Sequence, residues 1–145
     1  MVISGAGVLS VARFVGKMNA ELWGDLLADE VQPEIYAAHG IEFVNQCDNA
    51  TMHKKKDVRA RLKVIGFKFL DQPALFPDLN PVQNLWALLV LRVYHNGKSY
   101  TNDQDLWTAI QEKALNITVA EVRPYISSIR NCLCQVLLNK GMYIQ

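Results

Sequence analysis

The sequence predicts an α/β domain whose C-terminal half is helical. Short apolar, β-branched stretches alternate with stretches of helical period through the first half, the pattern of a sheet with helices on its faces. Helix-start signals then recur in the second half, with no strand pattern between them. No internal repeat, low-complexity tract or Gly/Ser/Pro-rich linker divides the 145 residues. One domain over 1–145 is therefore expected.

Val8 to Val15 reads as the first strand, with Gly5 and Gly7 before it and Gly16 after it marking turns. Asn19 is placed to cap a helix carrying Leu22, Trp23, Leu26, Leu27 and Val31 at three- and four-residue spacing. Pro33 should reset that helix, and Gly40 should close it. Ile41 to Val44 reads as a second strand and Phe67 to Leu70 as a third. Between them Val58, Leu62 and Ile65 recur one turn apart, predicting a helix whose other side is basic.

In the second half, Asn80-Pro81-Val82-Gln83 combines an N-cap Asn, a Pro at the first helical position and a Gln three residues on. Thr101-x-x-Gln104 and Thr118-x-x-Glu121 read as two further capping boxes. The first opens a face of Leu106, Trp107, Ile110 and Ala114. The second opens a face of Val122, Tyr125, Ile126, Ile129, Leu133, Val136 and Leu137, which Gly141 is placed to end. The helix after Pro81 is apolar almost all round, since Leu85, Leu88, Leu89, Val90 and Leu91 occupy every side, and burial on every side is the usual consequence.

Composition excludes several classes. With 50% apolar residues, and 15 Lys+Arg against 14 Asp+Glu, the chain is neither a disordered tail nor a dedicated polyelectrolyte binder. The longest apolar run, Leu85 to Leu91, falls far short of the ~20 residues a membrane span requires. The N-terminus lacks a basic region ahead of its apolar stretch, and Arg13 interrupts it, so no signal peptide and an intracellular protein are expected. Cys47, Cys132 and Cys134 are odd in number and not spaced as metal-binding pairs, so reduced thiols are expected. Two glycosylation sequons, at Asn49 and Asn116, mean little in that context.

Asp48 follows directly on the second expected strand. Carboxylates at strand ends are where α/β folds hold the paired ions of phosphodiester chemistry. An Asp-Asn pair there also serves simply to turn the chain, and position alone leaves both open. Lys54, Lys55, Lys56, Arg59, Arg61 and Lys63 put six positive charges into ten residues. They suit a nucleic-acid backbone or a solvated helix face equally well.

Two longer motifs point further. Gln46-Cys47-Asp48-Asn49-Ala50-Thr51-Met52-His53 resembles the Q-Q-D-N-A-P-C-H motif of the mariner-superfamily (Tc-type) cut-and-paste transposases. Pro77-Asp78-Leu79-Asn80-Pro81-Val82-Gln83-Asn84-Leu85-Trp86 resembles their S-P-D-L-N-P-I-E-N-L-W. Gly16 to Ala20, Arg92 to Lys98 and the Trp107 segment add matches in order, from about Gly5 to Tyr143. The resemblance implies the C-terminal part of a DDE catalytic domain, with a ribonuclease-H-like mixed sheet and flanking helices. It implies a nuclear protein that excises and integrates DNA through magnesium or manganese held by two aspartates and a final Glu or Asp. The second aspartate falls on Asp48. The third position, after 34 intervening residues, falls on Gln83.

The departures shape the expectation. Gln83 is neutral, so it supplies no anionic oxygen. The family's first aspartate and first two strands lie upstream of the Gly5 region, which makes 1–145 a single incomplete domain. Leu75-Phe76 and Leu88, Val90 and Leu91 replace polar or charged residues. The expected protein is a transposase-derived fragment, inactive by itself. Asp48 would be a weak or vestigial metal ligand with no stably bound ion, and Lys54, Lys55, Lys56 and Arg59 at most weak DNA contacts. Two alternatives stand beside it. One is an interaction module that binds a second copy or a protein partner through its edge strand and the Leu85–Leu91 helix. The other is a working transposase whose first strand and aspartate are supplied upstream or in trans.

Overall fold

The computed structural model describes residues 1–48, 50–71 and 80–139. The fold is mixed α/β and mostly helical, and it divides into two compact units, Met1–Val11 with Asp78–Gln145 and Ala12–Pro77.

The first unit opens with an antiparallel hairpin, β1 (Val2–Ser4) and β2 (Gly7–Ser10), turned at Gly5-Ala6. The expected strand from Val8 to Val15 thus starts at Gly7 and stops at Ser10. Its pairing with Val2–Ser4, where no strand was expected, fixes its length. Gly7 sits at φ 113°, and a Cβ there would lie 3.3 Å from Val119 Cγ2, so glycine suits both the backbone and the neighbour.

Three helices complete this unit. In α4 (Pro81–Val93) the Asn80 side chain accepts from the Val82 N–H, with Pro81 in the first turn as the sequence predicts. The expectation of burial on every side is corrected. Leu85, Leu89 and Val93 are buried, whereas Trp86, Val90 and Leu91 are exposed. Among the described residues, neighbours bury the stripe repeating every fourth residue and partly cover Leu88 beside it. Leu85 packs with Ile117 and Val122 beneath the hairpin residues Ile3 and Val8. Leu89 and Val93 pack with Ala114, Leu106 and Ile110.

The next helix, α5 (Asp103–Leu115), is capped by Asn102 rather than Thr101, because Asn102 Oδ1 accepts from the Asp105 N–H at 2.8 Å. The last, α6 (Val119–Leu138), begins with the expected capping box, Thr118 and Glu121 each bonding the other's backbone N–H. Its buried face is Val122 and Val136, with Tyr125 and Ile126 against the core. Leu133 and Leu137, expected on that face, are exposed among the described residues. Gly141 and Leu75-Phe76 lie outside the described residues.

Bonds from the Thr118 backbone and hydroxyl, then the Arg92 guanidinium, hold the Glu121 carboxyl below its ordinary value. A carboxyl depressed in the folded state stabilises the fold above its unfolded value and loses that contribution as pH falls through the folded one. Acid should therefore weaken this unit progressively below pH 4.5, the ordinary value for Glu121. Arg92→Met should flatten that dependence, as read by thermal melts across pH; an unchanged profile would contradict it.

In the second unit, α1 (Ala20–Leu26) is capped by Asn19, whose side chain accepts from the Leu22 N–H at 2.9 Å. A π-helical turn, Leu27–Val31, carries the chain without interruption into α2 (Gln32–His39), where Pro33 sits in the first turn. Gly40 closes α2 at φ 66°, as expected. A 3₁₀ turn (Thr51–Lys54) precedes α3 (Lys56–Val64), so Lys54 and Lys55 lie ahead of the basic helix rather than on it. Trp23, Leu27, Val31, Ile35, Val58, Leu62 and Phe67 form the buried core. At Gly24 a Cβ would lie 2.6 Å from Val58 Cγ1, which is why α1 comes so close to α3.

The expected strands Ile41 to Val44 and Phe67 to Leu70 are corrected to one parallel bridge, Asn45 to Phe69. It is made by Asn45 N to Lys68 O at 2.7 Å and Leu70 N to Asn45 O at 2.8 Å. Ile41, Val44 and Leu70 are exposed, so no further strand covers them among the described residues. Two parallel segments without a third neighbour are marginal as a sheet, and the ladder does not extend.

Candidate functional site

Asp48 leaves this bridge and enters a tight loop. Its Oδ1 accepts from the Ala50 N–H at 3.1 Å, turning the chain as Asx residues do. The same oxygen lies 2.6 Å from His53 Nδ1, which is also 3.4 Å from the Asp48 carbonyl oxygen. The motif's aspartate and histidine, five residues apart, are thus in direct contact.

The two partners differ in exposure. The Asp48 side chain is 59% exposed and that of His53 only 12%. His53 lies against Trp23, ring centroids 4.5 Å apart, and Trp23 is itself buried beside Phe69. The sequence placed Trp23 on a helix face but carried no sign that it forms the floor under His53, because the contact joins elements 30 residues apart in sequence.

Arg59 clamps the loop from α3. Its Nε donates to the His53 carbonyl at 2.7 Å, and its guanidinium lies 4.7 Å from the centroid of the Phe69 ring. Of the expected DNA contacts, then, Arg59 is half-buried and engaged within the unit. Lys55 pairs with Glu21 at 2.8 Å, an exposed contact that raises the lysine above its ordinary value. Arg61 pairs with Asp25 at 2.8 Å. Lys54, Lys56 and Lys63 are exposed. Exposed pairs of this kind are weak and screened by salt.

Cys47, next to Asp48, is shielded. Burial pushes its thiol up to about 11, with the Asp48 charge adding to the rise and Arg59 opposing it. The thiolate is the reactive form. Shielded and with its thiol pushed up, Cys47 should react with iodoacetamide more slowly at neutral pH than the exposed Cys134. Mass spectrometry of the partly labelled native chain reads this directly, and equal labelling would contradict it.

Gln83 is carried by the other unit, in the first turn of α4. It is exposed, and its backbone N–H donates to Asn80 O at 3.1 Å. Among the described residues no three His, Cys, Asp or Glu side chains come together as a group that could hold a metal ion.

A mixed fold carrying a loop-borne aspartate and a motif histidine defines a class when compared with known proteins. A family model described as DDE superfamily endonuclease matches residues 1–117, and the chain belongs to that family.

Within it, the relatives are transposases of the Tc type, as the two motifs imply. The chain is 30% identical over 133 residues to the Transposable element Tc3 transposase of Caenorhabditis elegans, covering 92% of this chain and 40% of that protein. It is 26% identical over 126 residues to the Transposable element Tcb2 transposase of Caenorhabditis briggsae, covering 83% and 46%. To the Tcb1 transposase of the same species it is 28% identical over 109 residues, covering 75% and 40%. The chain therefore spans less than half the length of the curated relatives it matches.

DDE superfamily endonucleases work with divalent metal ions. The donor set here does not fit a two-ion site. Asp48 is the one carboxylate of residues 46–53, its Oδ1 already bonds Ala50 and His53, and among the described residues no third donor joins it, where a pair of ions calls for several carboxylates.

Proposed function

We propose that residues 1–145 belong to one ribonuclease-H-like DDE transposase domain and by themselves neither cut nor join DNA. The family match supports a single domain, because it runs through 1–117 and so includes residues of both compact units. The ancestral activity on this reading is metal-dependent excision and strand transfer of a DNA element in the nucleus. One observation carries the loss: the third catalytic position is Gln83. Gln is nearly the shape of Glu but neutral. Losing even an outer-shell partner costs a metal site about 10–100-fold, and losing a charged ligand costs more. This deficit lies inside the chain, so an aspartate supplied upstream or in trans does not repair it.

DNA remains the partner on this reading, bound weakly. Lys54 and Lys56 are exposed beside the Asp48 loop, and Lys55 can leave Glu21 for a phosphate. Binding of that kind weakens log-linearly with salt. A gel-shift series should give a shallow slope that falls further when Lys54, Lys55 and Lys56 are neutralised; affinity indifferent to salt removes the basic segment from the account.

The direct test is a nicking and strand-transfer assay with manganese. No product is expected from the native chain. Cleavage abolished by Asp48→Asn would overturn the proposal.

The alternative interaction module rests on the exposed Trp86, Val90 and Leu91 of α4. A concentration-dependent dimer in sedimentation, lost in Leu91→Glu, would support it.

A further inference from the structure

We propose that His53 is a positioning residue for Asp48: its Nδ1–H fixes one carboxylate oxygen and so sets the direction in which the other is presented. The inference rests on the reading of Asp48 as the surviving ancestral carboxylate, and it concerns how that carboxylate is held.

A carboxylate only accepts hydrogen bonds, so the 2.6 Å contact requires the proton to be on Nδ1. The Ala50 N–H meets the same oxygen at 3.1 Å, and both bonds among the described residues fall on Oδ1. Both donors act on Oδ1, which leaves Oδ2 as the oxygen that neither of them engages. This would be a loose arrangement if His53 were mobile, but its ring is shielded and its backbone is tied down. Trp23 lies against its face, its side chain is only 12% exposed, and Arg59 grips its own carbonyl at 2.7 Å. The Asp48 side chain, by contrast, is 59% exposed, and without the imidazole it would keep only the longer bond from the Ala50 N–H. Order therefore passes from the core through Trp23 and Arg59 to His53, and from His53 to Asp48. Buttressing of this kind normally makes a carboxylate a good ligand or base, because no rotamer entropy is lost at the moment of use.

A packing role and a positioning role for His53 predict different tautomers. If the ring only packs on Trp23, its protonation is indifferent to Asp48. If it positions Asp48, the proton is on Nδ1 and follows the carboxylate.

The experiment is 15N NMR of the imidazole ring in the native chain, without metal or DNA, and in Asp48→Ala. The native ring is expected to carry its proton on Nδ1, and in Asp48→Ala the Nδ1 signal should move to that of a bare nitrogen. An Nδ1 already bare in the native chain, or a pattern unchanged by Asp48→Ala, would overturn the proposal. Two conservative variants add a second readout, the 13C shift of the Asp48 carboxyl. Asn at position 53 places an N–H donor where Nδ1 stood, and Gln places one where Nε2 stood. His53→Asn should keep the native carboxyl shift and His53→Gln should lose it; equal shifts in both would count against positioning. The outcome is independent of nuclease activity, so the proposed function can fail while this inference stands, and the reverse.

Discussion

Leu85→Ala is expected to destabilise the unit built on the hairpin and α4–α6 by about 2–5 kcal/mol. Leu85 is fully buried where α4 meets Ile117 and Val122, with Ile3, Val8, Leu88, Tyr125 and Ile126 packed around it. Truncation there removes contacts from the hairpin, the α5–α6 connection and α6 together, so the cavity has little freedom to collapse. The comparison that gives the number meaning is Leu91→Ala, six residues on in the same helix. Leu91 is 71% exposed, and its loss should stay within about ±0.5 kcal/mol. Urea denaturation followed by circular dichroism reads both midpoints. Equal effects at the two positions would mean that α4 is covered all round, contrary to the structure.

Trp23→Ala should cost the other unit about 3–5 kcal/mol. That is a large part of the 5–15 kcal/mol by which a typical domain is stable. Trp23 is 6% exposed and touches both Phe69 and His53, so it links the bridge segment to the Asp48 loop. Trp23→Phe keeps a ring under His53 and should lose less. The same urea titration separates the variants, and a Trp23→Ala protein as stable as the native one would show that the aromatic contacts contribute nothing.

What was legible in the sequence and what was not divides by range. Asn19, Asn80 and the Thr118–Glu121 box were readable because a cap is settled within three or four residues of itself. Even there the reading slipped by one at Asn102, since Thr101 and Asn102 are both good caps and only the backbone path chooses between them. The strands failed for the opposite reason. Ile41 to Val44 has strand composition, but a ladder exists only where a partner lies alongside, and among the described residues one bridge, Asn45 to Phe69, is all that forms. Strand β1 was missed because Val2–Ser4 is too short to show a period. The apolar run in α4 could not say which side its neighbours cover. At the site, the motif located Asp48 and His53. That the two bond to each other, and that Arg59 faces inward to the loop rather than outward, depends on α1 and α3 meeting at Trp23 and Gly24.

The central claim of the proposed reading is that this chain, with a neutral Gln83 at the third position, does not supply the anionic oxygens a pair of ions needs. Manganese titration of the full 145-residue chain, followed by electron paramagnetic resonance, tests it most directly. The account predicts at most weak binding of isolated ions, with no spin-coupled pair. A spin-coupled manganese pair in the native chain that disappears in Asp48→Asn would contradict it.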